Sequence, residues 1–230
     1  MPASGIATAA TELKSRFLEG IGPLDLKVIL AAAKPRQFKA NSVVVSQGNP
    51  ADCLYLLTKG RARYFFMTED GRKLLLFWLR PGEIFGGTAL LGTPSVYLAS
   101  TETIKDSHVL VWDSSTIRGL AARCPRLLEN ALLIASDYLA WYVAVHVALT
   151  SHSARKRLSG VVICLAELIG QKVSGGLEFD ATNEELASAA NITPFTASRL
   201  LSEWQRKRAL LKRRGKILLC SPEKLLLSSV

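Results

Sequence analysis

The stretch Thr182-Asn-Glu-Glu-Leu-Ala-Ser-Ala-Ala-Asn-Ile-Thr-Pro-Phe-Thr-Ala-Ser-Arg-Leu-Leu-Ser-Glu-Trp-Gln-Arg206 decides how the chain is read. Thr182 followed three residues later by Glu185 is the signature of a capping box, in which each side chain satisfies a backbone N–H of the other. The short helix it opens turns Leu186 and Ala190 inward, and Asn191 suits the left-handed conformation that ends a helix. Thr193 then caps a second helix with Pro194 at its first position, where the missing N–H costs nothing. Ala197, Leu200, Leu201 and Trp204 recur at helical spacing and predict one buried stripe. Two short helices across a tight turn are the grammar of a helix-turn-helix.

Immediately downstream, seven of the eleven residues 206–216 are Lys or Arg, followed by the apolar run Ile217-Leu218-Leu219. A basic turn leading into a strand predicts a β wing beside the second helix, with cations positioned to neutralise phosphates. Residues 151–230 carry 13 Lys/Arg against 7 Asp/Glu, within a chain of formal net charge +10. Such a bias points to a polyanion, nucleic acid or a lipid surface. The helix-turn-helix grammar selects double-stranded DNA.

Upstream, Pro125 opens a long helix reaching about Ser151. Along it Leu128, Leu132, Ala135, Leu139, Tyr142, His146 and Leu149 step by four and three residues, an a/d seam over three heptads. Ala131, Ile134, Tyr138, Trp141 and Val145 make a second apolar face. Two apolar faces need two partners, either the chain's own body and the same helix of a second subunit, or the two sides of a core around a central helix of a monomer, and the first is expected. Residues 131–149 also have spanning length for a bilayer, but Asp137 and His146 inside them are costly in lipid, so no membrane partner is expected. Residues 154–170 predict a further helix, with a short strand near 177–179.

Between about 36 and 113 the periodicity changes to short apolar runs: 43–45, 53–57, 62–67, 73–79, 97–101 and 108–112. They are separated by turn signals, of which Asp70-Gly71 is a hairpin signature. An antiparallel sandwich or barrel is expected there, with a short helix over 114–122. Before it, residues 6–19 and 24–34 predict short helices, the second ended by Pro35. The fold class expected is therefore α+β, in three parts: helices and a β-barrel over 1–122, a dimerisation helix over 123–152, and a winged helix-turn-helix over 153–230.

The four cysteines form no C-x-x-C pair, and no Cys/His cluster suggests a metal. No basic start followed by an apolar run marks a signal peptide. These features favour the cytoplasm. No nucleophile–base pair, phosphate loop or supported carboxylate pair points to an enzyme.

Both halves together resemble the cyclic-AMP receptor / fumarate–nitrate regulator (Crp/Fnr) superfamily over about residues 24–225. The resemblance rests on Val44-Val45-Ser46-Gln47-Gly48, Leu54-Tyr55-Leu56-Leu57, Lys59-Gly60, Glu69-Asp70-Gly71 and Pro81-Gly82-Glu83-Ile84-Phe85-Gly86. In the basic half it rests on Thr182 to Leu201 and Arg214-Gly215-Lys216. It implies a cyclic-nucleotide-binding-like barrel (a double-stranded β-helix or jelly roll), a homodimer, effector-gated binding to a palindromic operator, and contact with RNA polymerase. It also implies that Arg199 reads guanine, with Thr182, Thr193, Thr196, Ser198, Arg214 and Lys216 at positions for phosphate or base contact. Pro194 and Phe195 stand where family members often have polar readers, and Phe195 is suited to a thymine methyl.

The implied effector pocket is Phe85, Gly86, Gly87, Thr88, Tyr97, Tyr142 and Val143, and here the chain departs from the cyclic-AMP pattern. Gly87 replaces the ribose-binding Glu, Tyr97 the phosphate-binding Arg, and Tyr142-Val143 the adenine-binding Thr-Ser pair. A cyclic phosphate without a cation is poorly held, although N–H groups around Gly86, Gly87 and Thr88 can form an anion nest. Cyclic AMP is therefore not the expected effector. The N-terminal cysteine cluster of the iron–sulfur branch is absent. With only His108 and His146 as ring ligands in the sensor half, haem is disfavoured as well. The expected regulator answers to another effector, or to none.

Overall fold

The computed structural model describes residues 14–92, 95–213 and 215–226. Two compact units meet within the long helix, one ending at Ala140 and the other beginning at Trp141.

The first unit contains helix α1 (Pro23–Ala31) and strands β1 (Lys34–Phe38), β2 (Val43–Val45), β3 (Cys53–Lys59), β4 (Ala62–Met67), β5 (Lys73–Leu79), β6 (Ile84–Phe85), β7 (Ser100–Thr103) and β8 (Ser107–Asp113). Helix α2 (Ser114–Arg123) and the long helix α3 (Arg126–Ser151) follow. The strands form two antiparallel sheets, ordered β1-β8-β3-β6 and β2-β7-β4-β5. Strand alternation sorts the side chains into two layers. Leu57, Val109 and Val111 of the first sheet meet Val45, Ala62 and Leu79 of the second inside the jelly roll. Leu54, Leu56, Leu110 and Trp112 point the other way, onto Phe17, Ile29, Ile117, Leu120 and Leu127. The Trp112 indole donates to the Ile29 carbonyl at 2.8 Å, tying α1 to the sheet. Asp70-Gly71 turns the β4–β5 hairpin, whose register runs from Ala62↔Leu79 to Met67↔Lys73.

The N-terminal expectations need correction. Residues 6–13 of the first expected helix lie outside the described residues. Its described end is a single 3-10 turn, Arg16–Leu18. The second helix stops at Ala31, and Pro35 lies inside a strand rather than ending a helix. β1 is an edge strand, where a residue without an N–H leaves no partner unsatisfied. The run expected as a strand over 97–101 is strand only from Ser100, because the Tyr97 backbone bonds instead to the 48–49 turn through Gly48 N–H and the Asn49 carbonyl, each at 2.9 Å.

Of the predicted inner face of α3, Ala131, Ile134 and Tyr138 pack on the first unit, whereas Trp141 is 39% exposed and Val145 half-buried. Leu127, Asn130, Ala131, Ile134 and Tyr138 pack on the unit's own body, and Asn130 donates to the carbonyls of Phe17 and Glu19 at 3.0 and 2.8 Å. The a/d seam faces outward in the single chain, with Leu132 63% and Leu139 65% exposed.

The second unit comprises helix α4 (Ala154–Ile169), strands β9 (Gln171–Val173) and β10 (Gly176–Asp180), helices α5 (Asn183–Ala189) and α6 (Pro194–Arg206), strands β11 (Leu210–Arg213) and β12 (Lys216–Leu219), and α7 (Pro222–Leu226). Its sheet runs β11-β12-β10-β9, so the wing hairpin is extended by a two-stranded ribbon.

The β3–β4 turn at Gly60 has φ +94°, and a Cβ there would collide with Ser107 and lie 2.6 Å from the Asp106 carbonyl oxygen. Gly60→Ala is therefore expected to destabilise the barrel by more than about 1 kcal/mol. Chemical denaturation of the full chain, following tryptophan fluorescence, measures it; an unchanged midpoint would show that the turn relaxes freely.

Candidate nucleic-acid interface

The helix-turn-helix is built by local hydrogen bonds. Thr182 Oγ1 accepts from Glu185 N–H at 3.1 Å, and Glu185 Oε2 accepts from Thr182 N–H at 2.8 Å, completing the capping box on α5. Asn191 takes φ +48°, the left-handed conformation expected of it, and Ile192 N–H closes the turn on the Ala187 carbonyl at 2.9 Å. Thr193 caps α6 by accepting from Thr196 N–H at 3.1 Å, and the two threonine hydroxyls lie 2.9 Å apart. Ala197, Leu200, Leu201 and Trp204 are buried as their spacing predicts. Because an α-helix turns 100° per residue, burying that stripe forces Phe195 and Arg199 out, and both are exposed. Ser198 and Thr196 flank them at intermediate exposure.

Two α4 side chains hold this pair of helices in place. The Arg157 guanidinium donates to the carbonyls of Ala190 (2.9 Å), Asn191 (3.1 Å) and His152 (2.7 Å). It thereby satisfies acceptors left orphaned where α5 ends. Arg155 grips Glu203 of α6 through two bonds of 3.1 and 2.6 Å, and Lys207 adds a third contact at 3.0 Å. Hydrogen bonds from Arg155 and then Lys207 hold the Glu203 carboxyl down at about 2. Sequence reasoning missed both arginines. In the run Arg155-Lys156-Arg157 nothing distinguishes a structural guanidinium from a surface charge.

The wing carries its cations beside an acid. Glu178 of β10 accepts from Lys216 Nζ at 2.8 Å and lies 3.9 Å from Arg213 Nη1. This pairing holds the Lys216 ammonium above the usual lysine range. Arg214 lies outside the described residues.

In the sensor half, the expected effector residues Phe85, Gly86 and Tyr97 come together around Cys53 and Tyr55. Tyr97 is 7% exposed, and its hydroxyl accepts from Cys53 N–H at 2.9 Å and donates to the Cys53 carbonyl at 3.0 Å. Tyr55 stacks on Phe85 at 4.8 Å between centroids. Burial raises the phenols of Tyr55, Tyr64 and Tyr97, so they stay protonated. Gly86 has φ +75°, and a Cβ there would lie 2.7 Å from the Cys53 oxygen and 3.1 Å from the Tyr97 ring. Gly87 is exposed, and Thr88 keeps a buried hydroxyl with no partner among the described residues. Tyr142 and Val143 lie on an exposed face of α3, within the second unit. His108 and His146 are both exposed. No group of three or more His, Cys, Asp or Glu among the described residues is placed to hold a metal ion.

Residues 35–124 match the cyclic nucleotide-binding domain family, and residues 157–227 the Crp-like helix-turn-helix domain family. The CRP-like cAMP-activated global transcriptional regulator of Mycobacterium tuberculosis is 23% identical over 210 residues, covering 90% of this chain and 93% of that protein. The cyclic AMP receptor protein of Thermus thermophilus is 28% identical over 189 residues, covering 81% and 84%. Among solved structures, the c-di-GMP responsive global regulator CLP of Xanthomonas campestris superposes with a TM-score of 0.76 at 19% identity, covering 86% of this chain and 99% of that one. A barrel of this topology, the capped helix pair with its wing and these matches agree: the chain belongs to the Crp/Fnr superfamily of DNA-binding transcription regulators.

Proposed function

We propose that the chain works as a cytoplasmic homodimer that binds a palindromic DNA operator sequence-specifically and contacts RNA polymerase to control transcription, with no catalytic role. The observation that carries this reading is the outward Arg199 on a helix whose opposite face is buried. An Arg so presented holds the O6 and N7 of guanine through two parallel hydrogen bonds. A two-fold dimer sets two such helices about one turn of DNA apart. Phosphate contacts are assigned to Thr182, Thr193, Thr196, Ser198, Arg214 and Lys216. They fix register on the duplex, whereas Arg199 supplies discrimination.

The dimer reading rests on the outward seam of α3. Leu128, Leu132, Leu139, Tyr142 and Leu149 form an apolar stripe too large and regular to leave in water. Among the described residues α3 is also the one helix long and apolar enough to cross a bilayer. A second copy fits it better than lipid, because its other face buries Asn130 against the backbone and pairs Asp137 with Arg16 at 2.5 Å.

The family's cyclic nucleotide does not fit the residues present. Gly87 and Tyr97 offer no cation to a cyclic phosphate, and the Tyr97 hydroxyl is already bound to Cys53 at both backbone groups. The effector is accordingly something other than cyclic AMP. The second reading, a regulator that needs no small molecule, is favoured by the same tyrosine, because its ring fills the barrel interior.

Arg199→Ala is expected to leave the dimer and the melting temperature unchanged. It should lower operator preference over random DNA by about five- to one-hundred-and-sixty-fold per half-site, from the about 1–3 kcal/mol of one bidentate contact. Competition binding measures this, and retained discrimination removes Arg199 from base reading. Replacing Leu132 and Leu139 together by Lys should yield a monomer in sedimentation that no longer binds the full palindrome; a dimer surviving both charges places the interface elsewhere. In a thermal-shift titration, cyclic AMP should leave the melting temperature within about 1 °C. A bound ligand at one hundred times its Kd would add about 2.7 kcal/mol of stability and raise it by several degrees.

A further inference from the structure

We propose that Phe195 reads the C5-methyl group of a pyrimidine, thymine or 5-methylcytosine, within about two base pairs of the guanine held by Arg199. This rests on the assignment of α6 as the recognition helix and deepens it by naming a second base.

Phe195 is 77% exposed, although the helix that bears it has a fully apolar buried face. Its ring adds nothing to the core, and Phe is a middling helix former, so neither packing nor propensity accounts for it. Its position is specific. It follows Pro194 at the N-terminal end of α6, the end that helix-turn-helix docking brings to the base edges. Polar alternatives at this end are few. Pro194 has no polar side-chain atom, and the hydroxyls of Thr193 and Thr196 are 2.9 Å from each other, with Thr193 also accepting from the Thr196 N–H. That leaves the ring as the large group offered to the groove beside Arg199.

Phe195 and Arg199 are four residues apart and so share a helix face. At 1.5 Å per residue they are separated by about 6 Å along the axis, close to two steps of 3.4 Å along a strand. In the major groove the only apolar group that a base presents is the C5-methyl of thymine, and 5-methylcytosine carries the same methyl at the same place. Burying one methyl is expected to change affinity about four-fold per half-site, from about 0.8 kcal/mol for a CH2-sized group.

The test begins with the full chain and an operator selected from random DNA. Each thymine of the half-site is then replaced in turn by deoxyuridine, which removes only the methyl. The wild type is expected to lose about four-fold in affinity per half-site at one position near the essential G·C pair, and Phe195→Ala to be indifferent there. Placing cytosine at that position should weaken wild-type binding, and 5-methylcytosine should restore it. Wild-type affinity unchanged by deoxyuridine at every position overturns the proposal, as does a Phe195→Ala protein that still senses the methyl. Arg199→Ala on the same duplexes separates the two assignments. Loss of guanine preference without any methyl effect sinks only the role of Phe195, whereas loss of neither sinks the recognition helix itself. Because Phe195 is a surface side chain, unchanged melting and unchanged affinity for random DNA in Phe195→Ala verify that the variant is folded.

Discussion

The DNA-binding half depends on a rotational constraint. Once Ala197, Leu200, Leu201 and Trp204 are buried, α6 has no freedom about its own axis, and the direction of Arg199 is settled by packing rather than by Arg199. The arginines of α4 complete the arrangement. Arg157 ties three carbonyls around the α5–α6 turn and the start of α4, and Arg155 fastens the last turn of α6 through Glu203. Charge-assisted bonds of this kind are shorter and stronger than neutral ones. A helix set by both a greasy face and a guanidinium brace presents its exposed side chains with little orientational entropy left to lose on binding.

The sensor half keeps the barrel architecture while filling it with rings. Tyr55 lies against Phe85, Tyr97 clasps the Cys53 backbone, and Tyr64 stacks on Phe77, which stacks in turn on Tyr138 of α3 at 4.5 Å. Phe85 and Tyr97 lie in the buried cluster inside the barrel, with Tyr55, Tyr64 and Phe77 packed against it. The Tyr64–Phe77–Tyr138 stack joins the barrel's aromatic packing to the middle of the long helix, so the position of α3 at Tyr138 is coupled to barrel packing directly.

The parts legible in the sequence were those in which a side chain acts on its own neighbourhood. Caps, the left-handed Asn191, the buried stripe of α6 and the first half of the inner face of α3 are written in spacings of three and four residues, and they lie where the spacing put them. The parts that failed needed distant partners. Lys34–Phe38 has no period-2 apolar signal and contains a proline; it is a strand only because β8 lies alongside it. Gln171–Val173, three exposed residues, is likewise held by its register with β10. Arg157 looked like one more surface cation because the carbonyls it satisfies lie 33 and 34 positions away.

Glu178 has a further consequence. By holding Lys216 and lying near Arg213, it acts as a resident counterion for the wing. A cation partly neutralised from within offers less charge to an incoming anion, so the wing attracts any polyanion less than its sequence charge alone would give. The acid at the wing therefore tempers, from inside the fold, how strongly the basic hairpin draws any polyanion at low salt.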